Sequence, residues 1–306
     1  MPRPTPRDSH NDATMTQISI GYSNAQYVAA DVFPVVTVAK QSDIFFIFPK
    51  ASWFRRRAMP RAPGNRAKRV DYELTTASYT ALPYALAHGV TDEEVRNADA
   101  PLTPFVTATE FVTDGLLLDM EIRVADLVTT CGNWANASNP SVKWDVDTSD
   151  PWADIDNLNE AISGQIGRNP TVAVMSSTVW KALRRHPDLV DRVKYTQKGG
   201  RMTSQMFAEW FGYDKVVIGN AIKNTALEGA ADDISRVWGD AFWAGFVSPA
   251  PALRTPSAGY SFEWGTRKVE RFPEDQEHQD VIAAEHHTTE QVTASDAGGG
   301  LFDVTG

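Results

Sequence analysis

Three textures of apolar and polar residues alternate along the chain. The first fills residues 44–86. Ile44, Phe45, Phe46, Ile47 and Phe48 form an unbroken apolar run that ends at Pro49, with Trp53 and Phe54 just beyond. After residue 69, Val70, Tyr72 and Leu74 alternate with Asp71, Glu73 and Thr75, the period-two pattern of a strand with one solvated face. Pro60, Pro63 and Gly64 punctuate the stretch between them. The pattern predicts a two-stranded arm. At ~3.4 Å per residue, strands of about ten residues would carry its tip some 30 Å from the base.

The second texture is helical. Across residues 103–131, Ala108, Phe111, Val112, Leu116, Met120, Val124, Leu127, Val128 and Cys131 recur at spacings of three and four. Such a helix is about 40 Å long, with Gly115 as a bend and Gly132 in the position of a C-terminal cap. A shorter helix is predicted over residues 90–98, where Thr91 and Glu94 have capping-box spacing. Residues 133–151 read as loop. Ile155, Leu158, Ile162 and Ile166 then make a helical stripe stopped by Gly167. Short strands at 171–175, 215–218, 237–238 and 242–247, interleaved with a helix capped at Ser176 or Ser177 and a helix over residues 203–211, predict a compact α/β unit over residues 155–249, with residues 198–200 as a loop.

The third texture is long and extended. Tyr260, Phe262 and Trp264 alternate with polar neighbours, and residues 279–292 form a half-polar strand. These predict a second, antiparallel sheet returning to the long helix. Residues 1–23 are polar and proline-bearing and read as a flexible arm, with Met15 as an alternative start. Residues 27–40 are apolar but contain Pro34, which fits an extended segment laid on another surface. Gly298, Gly299 and Gly300 read as a flexible joint before Leu301 and Phe302.

Charge changes the meaning of the arm. Residues 55–69 carry Arg55, Arg56, Arg57, Arg61, Arg66, Lys68 and Arg69 and no acid. With those seven cations set aside from the formal net charge of −10, the remaining chain carries −17. An isolated ribbon is marginal in water, and the best-matched surface for this tip is another copy of the same chain. Complementary charge steers and registers partners more than it adds affinity.

Composition narrows the alternatives. The 306 residues, 42% hydrophobic and 22% charged, are ordinary globular material of roughly two domains. No apolar stretch approaches the ~20 residues of a membrane span, and no signal-peptide core opens the chain. One cysteine, Cys131, excludes an internal disulfide and a cysteine-based zinc framework, and reads as a small buried hydrophobe at a helix end. A reducing cytoplasm fits this composition. Glu285, His286, His287 and Glu290 are metal-ligand types, but successive strand residues face opposite ways, so no metal site is expected. Asp145, Asp147, Asp150, Asp154 and Asp156 lack calcium-loop spacing and read as caps and turns. No hydrolase elbow, Walker or dinucleotide motif is present, and no cofactor or enzymatic activity is expected. The basic tip has the Arg/Lys density of a phosphate binder but lacks interleaved stacking aromatics between residues 55 and 69. A nucleic-acid-binding accessory protein, and less favourably an α/β enzyme, stand as alternatives.

The segments 27–50, 169–193 (NPTVAVMSSTVWKALRRHPDLVDRV) and 238–249 (WGDAFWAGFVSP), with the order of arm, ribbon, long helix and inserted α/β unit, resemble the major capsid proteins of tailed double-stranded DNA bacteriophages, the Hong Kong ninety-seven fold. The likeness covers nearly the whole chain through order and texture. It implies an α+β fold: an N-terminal arm (1–40), an extended loop or E-loop (41–89), a peripheral domain from residues 90–153 and 255–306 with a spine helix and long antiparallel strands, and an inserted axial α/β domain (154–254). It implies a structural subunit that assembles into pentamers and hexamers of an icosahedral shell around phage DNA. The cations Arg55, Arg56, Arg57, Arg61, Arg66, Lys68 and Arg69, and the apolar residues Phe45, Phe46, Phe48, Trp53 and Phe54, would then contact a neighbouring subunit. Implied partners are further copies, a scaffolding protein, a portal, decoration proteins and DNA held without sequence-specific contact, with no membrane. A fused scaffolding segment finds no room ahead of residue 27, so a separate scaffolding protein is expected. Some relatives crosslink a loop lysine. Lys50 and Lys68 are available, but no partner is identifiable and no crosslink is expected. The location implied is the virion, after assembly in the host cytoplasm.

Overall fold

The computed structural model describes residues 10–47, 50, 54–71, 74–99, 102–194, 202–227, 229–252 and 255–306. The expected loop at 198–200 lies outside them.

The N-terminal segment is seated on the body rather than free from residue 10 onward. Strand β1 (His10–Asn11) pairs with a strand near the C-terminus, and helix α1 (Ala13–Gly21) follows at once. Asp12 caps it by accepting from the backbone N–H groups of Thr14 and Met15. The polarity that suggested a loose arm is absorbed pairwise: the Thr113 hydroxyl donates to buried Ser19, and Val269 N–H donates to Thr16. Helix α2 (Ala29–Val32) and strand β2 (Val35–Val38) replace one continuous extended segment. Pro34 is tolerated because β2 is an edge strand, and the Pro34 carbonyl accepts from Ser261 N–H.

Strands β3 (Ser42–Ile47) and β4 (Thr75–Thr80) form the antiparallel ribbon, from Ser42 opposite Thr80 to Ile47 opposite Thr75. Its strands are shorter and nearer the body than the sequence pattern indicates. Val70 and Leu74 lie before the returning strand rather than in it, and Tyr72 lies outside the described residues. The next positions in register, Phe48 and Pro49, lie outside the described residues. Strand β5 (Leu82–Thr91) then leads into helix α3 (Asp92–Asn97), with the Thr91–Glu94 capping box in place.

Helix α4 (Pro104–Thr129) is a spine of 26 residues. It is continuous through Gly115, where a side chain would meet Leu86 of β5 at 2.7 Å, so this glycine permits close packing rather than a bend. The helix ends at Thr130, ahead of Gly132, and a 3-10 turn over Cys131–Asn133 leaves Cys131 exposed, not buried. Strand β6 (Asn136–Ser138) follows. Helix α5 (Pro151–Ile166), capped by Asp150, buries the predicted Ile155, Leu158, Ile162 and Ile166 and ends at Gly167 in the left-handed region, φ 67°. Next come β7 (Val172–Ser176), α6 (Ser177–Leu183), α7 (Pro187–Lys194), α8 (Ser204–Phe211), β8 (Lys215–Gly219), β9 (Ile222–Asn224) and β10 (Ile234–Arg236). Val237 and Trp238 form a turn, not a strand. The chain closes with β11 (Phe242–Gly245), β12 (Gly259–Trp264), β13 (Lys268–Glu274), β14 (Gln279–Val292) and β15 (Gly298–Leu301).

Two sheets organise these elements. One runs β1-β13-β14-β12-β2, with β5 also paired to β14, and packs on the spine through Val90, Val112, Leu116, Ile282 and Ala284. The other runs β6-β15-β11-β7-β8 and carries a core of Ile155, Ile162, Met175, Leu183, Phe207 and Phe242. The Gly298–Gly300 run is therefore no joint: it is a buried strand between β6 and β11. A side chain at 298 would lie 2.5 Å from Trp134, and one at 299 would lie 2.6 Å from the Asn136 carbonyl oxygen. The glycines are there for close approach. The α/β unit read over residues 155–249 thus takes β6 and β15 from outside that range. Between the sheets, Val124, Ala125 and Val128 of the spine pack with Trp134, Trp238 and Trp243.

Candidate assembly surface

The ribbon has one face on its own body and one without cover. Phe45 lies 5.5 Å from Phe262 between ring centroids, and Tyr79 stacks on the same ring at 4.7 Å. Phe45 thus makes an intrachain contact. Ile44 and Phe46, on the opposite face, are 60% and 52% exposed. At the root, the Lys50 ammonium pairs with Asp296 at 2.7 Å and donates to Gln165 at 3.1 Å. Phe54 is exposed, while Phe48 and Trp53 lie outside the described residues.

Residues 54–71 take no regular secondary structure and are exposed apart from half-buried Arg57. Arg57 donates to the Asp71 carbonyl and Arg61 to the Asn65 carbonyl, contacts that hold the tip's own backbone. Gly64 turns the tip at φ 85°. Among the described residues no carboxylate lies within ion-pairing distance of Arg55, Arg56, Arg61, Arg66, Lys68 or Arg69. Charge of one sign is gathered on a projecting segment, and among the described residues no ion pair forms to any of these six cations.

The other singled-out residues serve structure. His286 pairs with Glu263 at 2.7 Å, His287 sits near Glu285 at 3.4 Å, and Glu290 faces Arg123. Among the described residues no three metal-ligating side chains converge. Asp150 caps α5 and Asp154 accepts from the Trp144 indole. No described helix is long and apolar enough to cross a membrane.

Three features were missed in the sequence. Glu121, fully buried on the spine, accepts from Val28 N–H, Ala29 N–H and the Trp238 indole. Its position three and seven residues ahead of Val124 and Val128, on the apolar stripe, is the signal that could have found it. Arg123 forks onto Glu290 at 2.8 and 3.1 Å, donates to Thr288, and lies 3.8 Å above the Tyr84 ring. Phe111, counted in the buried stripe, is 67% exposed at the rim of a cavity of about 540 Å³.

Comparison with known proteins decides what this architecture is. The chain is 30% identical over 236 residues to the major capsid protein of Burkholderia phage BcepMu, a match covering 74% of this chain and 73% of that one. The chain belongs to the phage major capsid protein family. A family model described as phage major capsid protein E matches residues 137–226, much of the second sheet and its helices. Among solved structures, a phage-related protein from Bordetella bronchiseptica RB50 superposes with a TM-score of 0.79 at 24% identity, covering 97% of this chain and 98% of that one. The capsid of cyanophage P-SCSP1u gives a TM-score of 0.61 at 12% identity, with 94% and 90% covered. The mixed helix-and-sheet capsid fold expected of the sequence is therefore the fold of this chain, and its role as a capsid protein is structural.

Proposed function

We propose that this capsid protein builds a closed icosahedral shell from pentamers and hexamers, each subunit extending its E-loop over a neighbour. The observation that carries this reading is the exposed ribbon face of Ile44 and Phe46 and the exposed, densely cationic tip beyond it, on a chain whose remainder is acidic. Arg55, Arg56, Arg61, Arg66, Lys68 and Arg69 supply the docking charge. Arg57 braces the tip through Asp71. Phe46 and Phe54 supply apolar contact, with Phe48 and Trp53 assigned there from the sequence. A shell distributes modest pairwise energies over many contacts, so no single interface need be large.

In this reading residues 1–40 are the N-terminal arm and 41–89 the E-loop. The first sheet and spine (90–153 and 255–306) form the peripheral domain, and residues 154–254 the axial domain, with β6 and β15 lending strands to the axial sheet. The shell encloses DNA without sequence-specific contact. It is assembled in the host cytoplasm with a separate scaffolding protein, joined by portal and decoration proteins, and comes to rest in the virion. The subunit performs no catalysis.

Electron microscopy of the purified protein tests this. Rings, tubes or shells are expected, whereas uniform monomers over a wide concentration range would overturn the reading. Changing Arg55, Arg56 and Arg57 together to Glu should leave the circular dichroism of the monomer intact and abolish closed shells. Normal shells from that variant would remove the docking role.

A further inference from the structure

The E-loop tip needs a counter-surface, and the chain offers one that fits it in two respects. Between β5, α3 and the start of α4 lies the cavity of about 540 Å³, lined by His88, Val90, Glu94, Leu102, Pro104 and Phe111 among others. Leu102 is 69% exposed and Phe111 67%, so the apolar floor is open to solvent. Glu94 lines it, and the chain segment that borders it is acidic: residues 92–102 hold Asp92, Glu93, Glu94 and Asp99 against the single cation Arg96. Glu93 and Asp99 are exposed and enter none of the ion pairs among the described residues.

The tip mirrors this arrangement. Within residues 55–69 the only large apolar side chain is Met59, 73% exposed and flanked on both sides by arginines. An apolar anchor flanked by cations matches an apolar cup bordered by an acidic segment. That is the layout of an interface hot spot, with a desolvated centre and a charged rim that sets registration. Methionine suits the centre because its unbranched side chain adapts to an irregular pocket. Within one chain both surfaces stand open, so their occupants come from different copies.

Resting on the shell-forming reading above, we infer that Met59 of one subunit seats in the Leu102–Phe111 cup of a second copy, with Arg55 and Arg56 meeting Glu93 and Asp99. Disulfide trapping tests this directly. In a Cys131→Ser background, Met59→Cys is combined with Leu102→Cys and the assembled particles are oxidised with diamide. A reductant-sensitive ladder of linked subunits is expected, and it should be absent when Met59→Cys is paired instead with Leu227→Cys, which is 84% exposed between β9 and β10 and does not line the cavity. Particles that form without a 59–102 ladder overturn this inference and leave the shell reading standing. A Cys131→Ser parent that forms no particles overturns the shell reading itself. Should the cysteine pair block assembly, a charge exchange decides. Arg55→Glu/Arg56→Glu and Glu93→Lys/Asp99→Lys should each lower particle yield by roughly tenfold or more, and together restore most of it. Failure of the combination to rescue overturns the pairing.

Discussion

Glu121 of the spine helix and Trp238 of the turn after β10 meet in the interior at 2.5 Å, the indole N–H donating to the carboxylate. The other carboxylate oxygen accepts from Val28 and Ala29 N–H, so one buried side chain ties the entrance of α2, the spine and the base of the second sheet together. Removing it strands three buried donors. Glu121→Leu is expected to lower unfolding free energy by about 3–5 kcal/mol, read by denaturant titration of the unassembled chain. A loss below ~1 kcal/mol would show that water replaces the carboxylate.

The same residue sets a pH dependence. Burial pushes the Glu121 carboxyl above the ordinary glutamate range, against the opposing pull of Trp238, Val28 and Ala29. A carboxyl that holds its proton more tightly when folded contributes stability that is complete below the unfolded pKa and is lost as pH rises through the folded one. Stability should therefore decline with rising pH in the window just above the usual glutamate range. Glu121→Gln should flatten that slope, and an unchanged slope would assign it to other groups.

Arg123 and Glu290 lock the spine to β14. The Glu290 side chain is 3% exposed, and Arg123 is its hydrogen-bonding partner. Arg123→Leu leaves that carboxylate buried and unpaired, at an expected cost of about 3–5 kcal/mol. Because the penalty belongs to the orphaned charge, Arg123→Leu/Glu290→Leu should recover most of the loss. A double-mutant cycle with no coupling would contradict this.

Gly299 is held between backbone and core. A methyl group there would approach the Asn136 carbonyl oxygen at 2.6 Å and Leu158 at 2.7 Å. Gly299→Ala should lower stability by about 1–3 kcal/mol through strain in β15, read as a fall in melting temperature. Gly132→Ala, with open space around it, serves as the neutral comparison.

The contrast between Gly299 and Gly132 also shows where the chain is legible. Local signals survive folding: the Thr91–Glu94 capping box, the Ile155–Ile166 stripe and the extended half-polar run over residues 279–292 depend on neighbours a few residues away, and each forms as patterned. Signals set by distant partners do not. Three glycines look like a joint until Trp134, Trp243 and Asn136 arrive from elsewhere to require them. The polar segment holding Thr16 and Ser19 looks loose until Val269 and Thr113 satisfy it. The tip's charge density was plain in the sequence. Phe45's intrachain contact and Phe111's exposure were not, because a strand pattern does not say which face meets the body, and a helical stripe does not say how wide its cover is.

The root of the E-loop is the last place where a small change should matter more for assembly than for folding. Lys50 bridges Asp296 and Gln165, so the ribbon leaves the body in a fixed direction. The Lys50 side chain is 43% exposed, and ion pairs so open to water contribute about 1 kcal/mol or less. Lys50→Ala should therefore leave the melting temperature nearly unchanged. It should nonetheless increase amide exchange in Ser42–Ile47 and Thr75–Thr80, because the ribbon loses its tether while the sheets beneath keep theirs. Particle yield should fall with it, since a tip that samples many directions pays more ordering entropy on docking. Equal exchange in the ribbon of the variant and the parent would show that Phe45 and Tyr79 on Phe262 suffice to aim the loop, and that the Lys50 bridge is incidental.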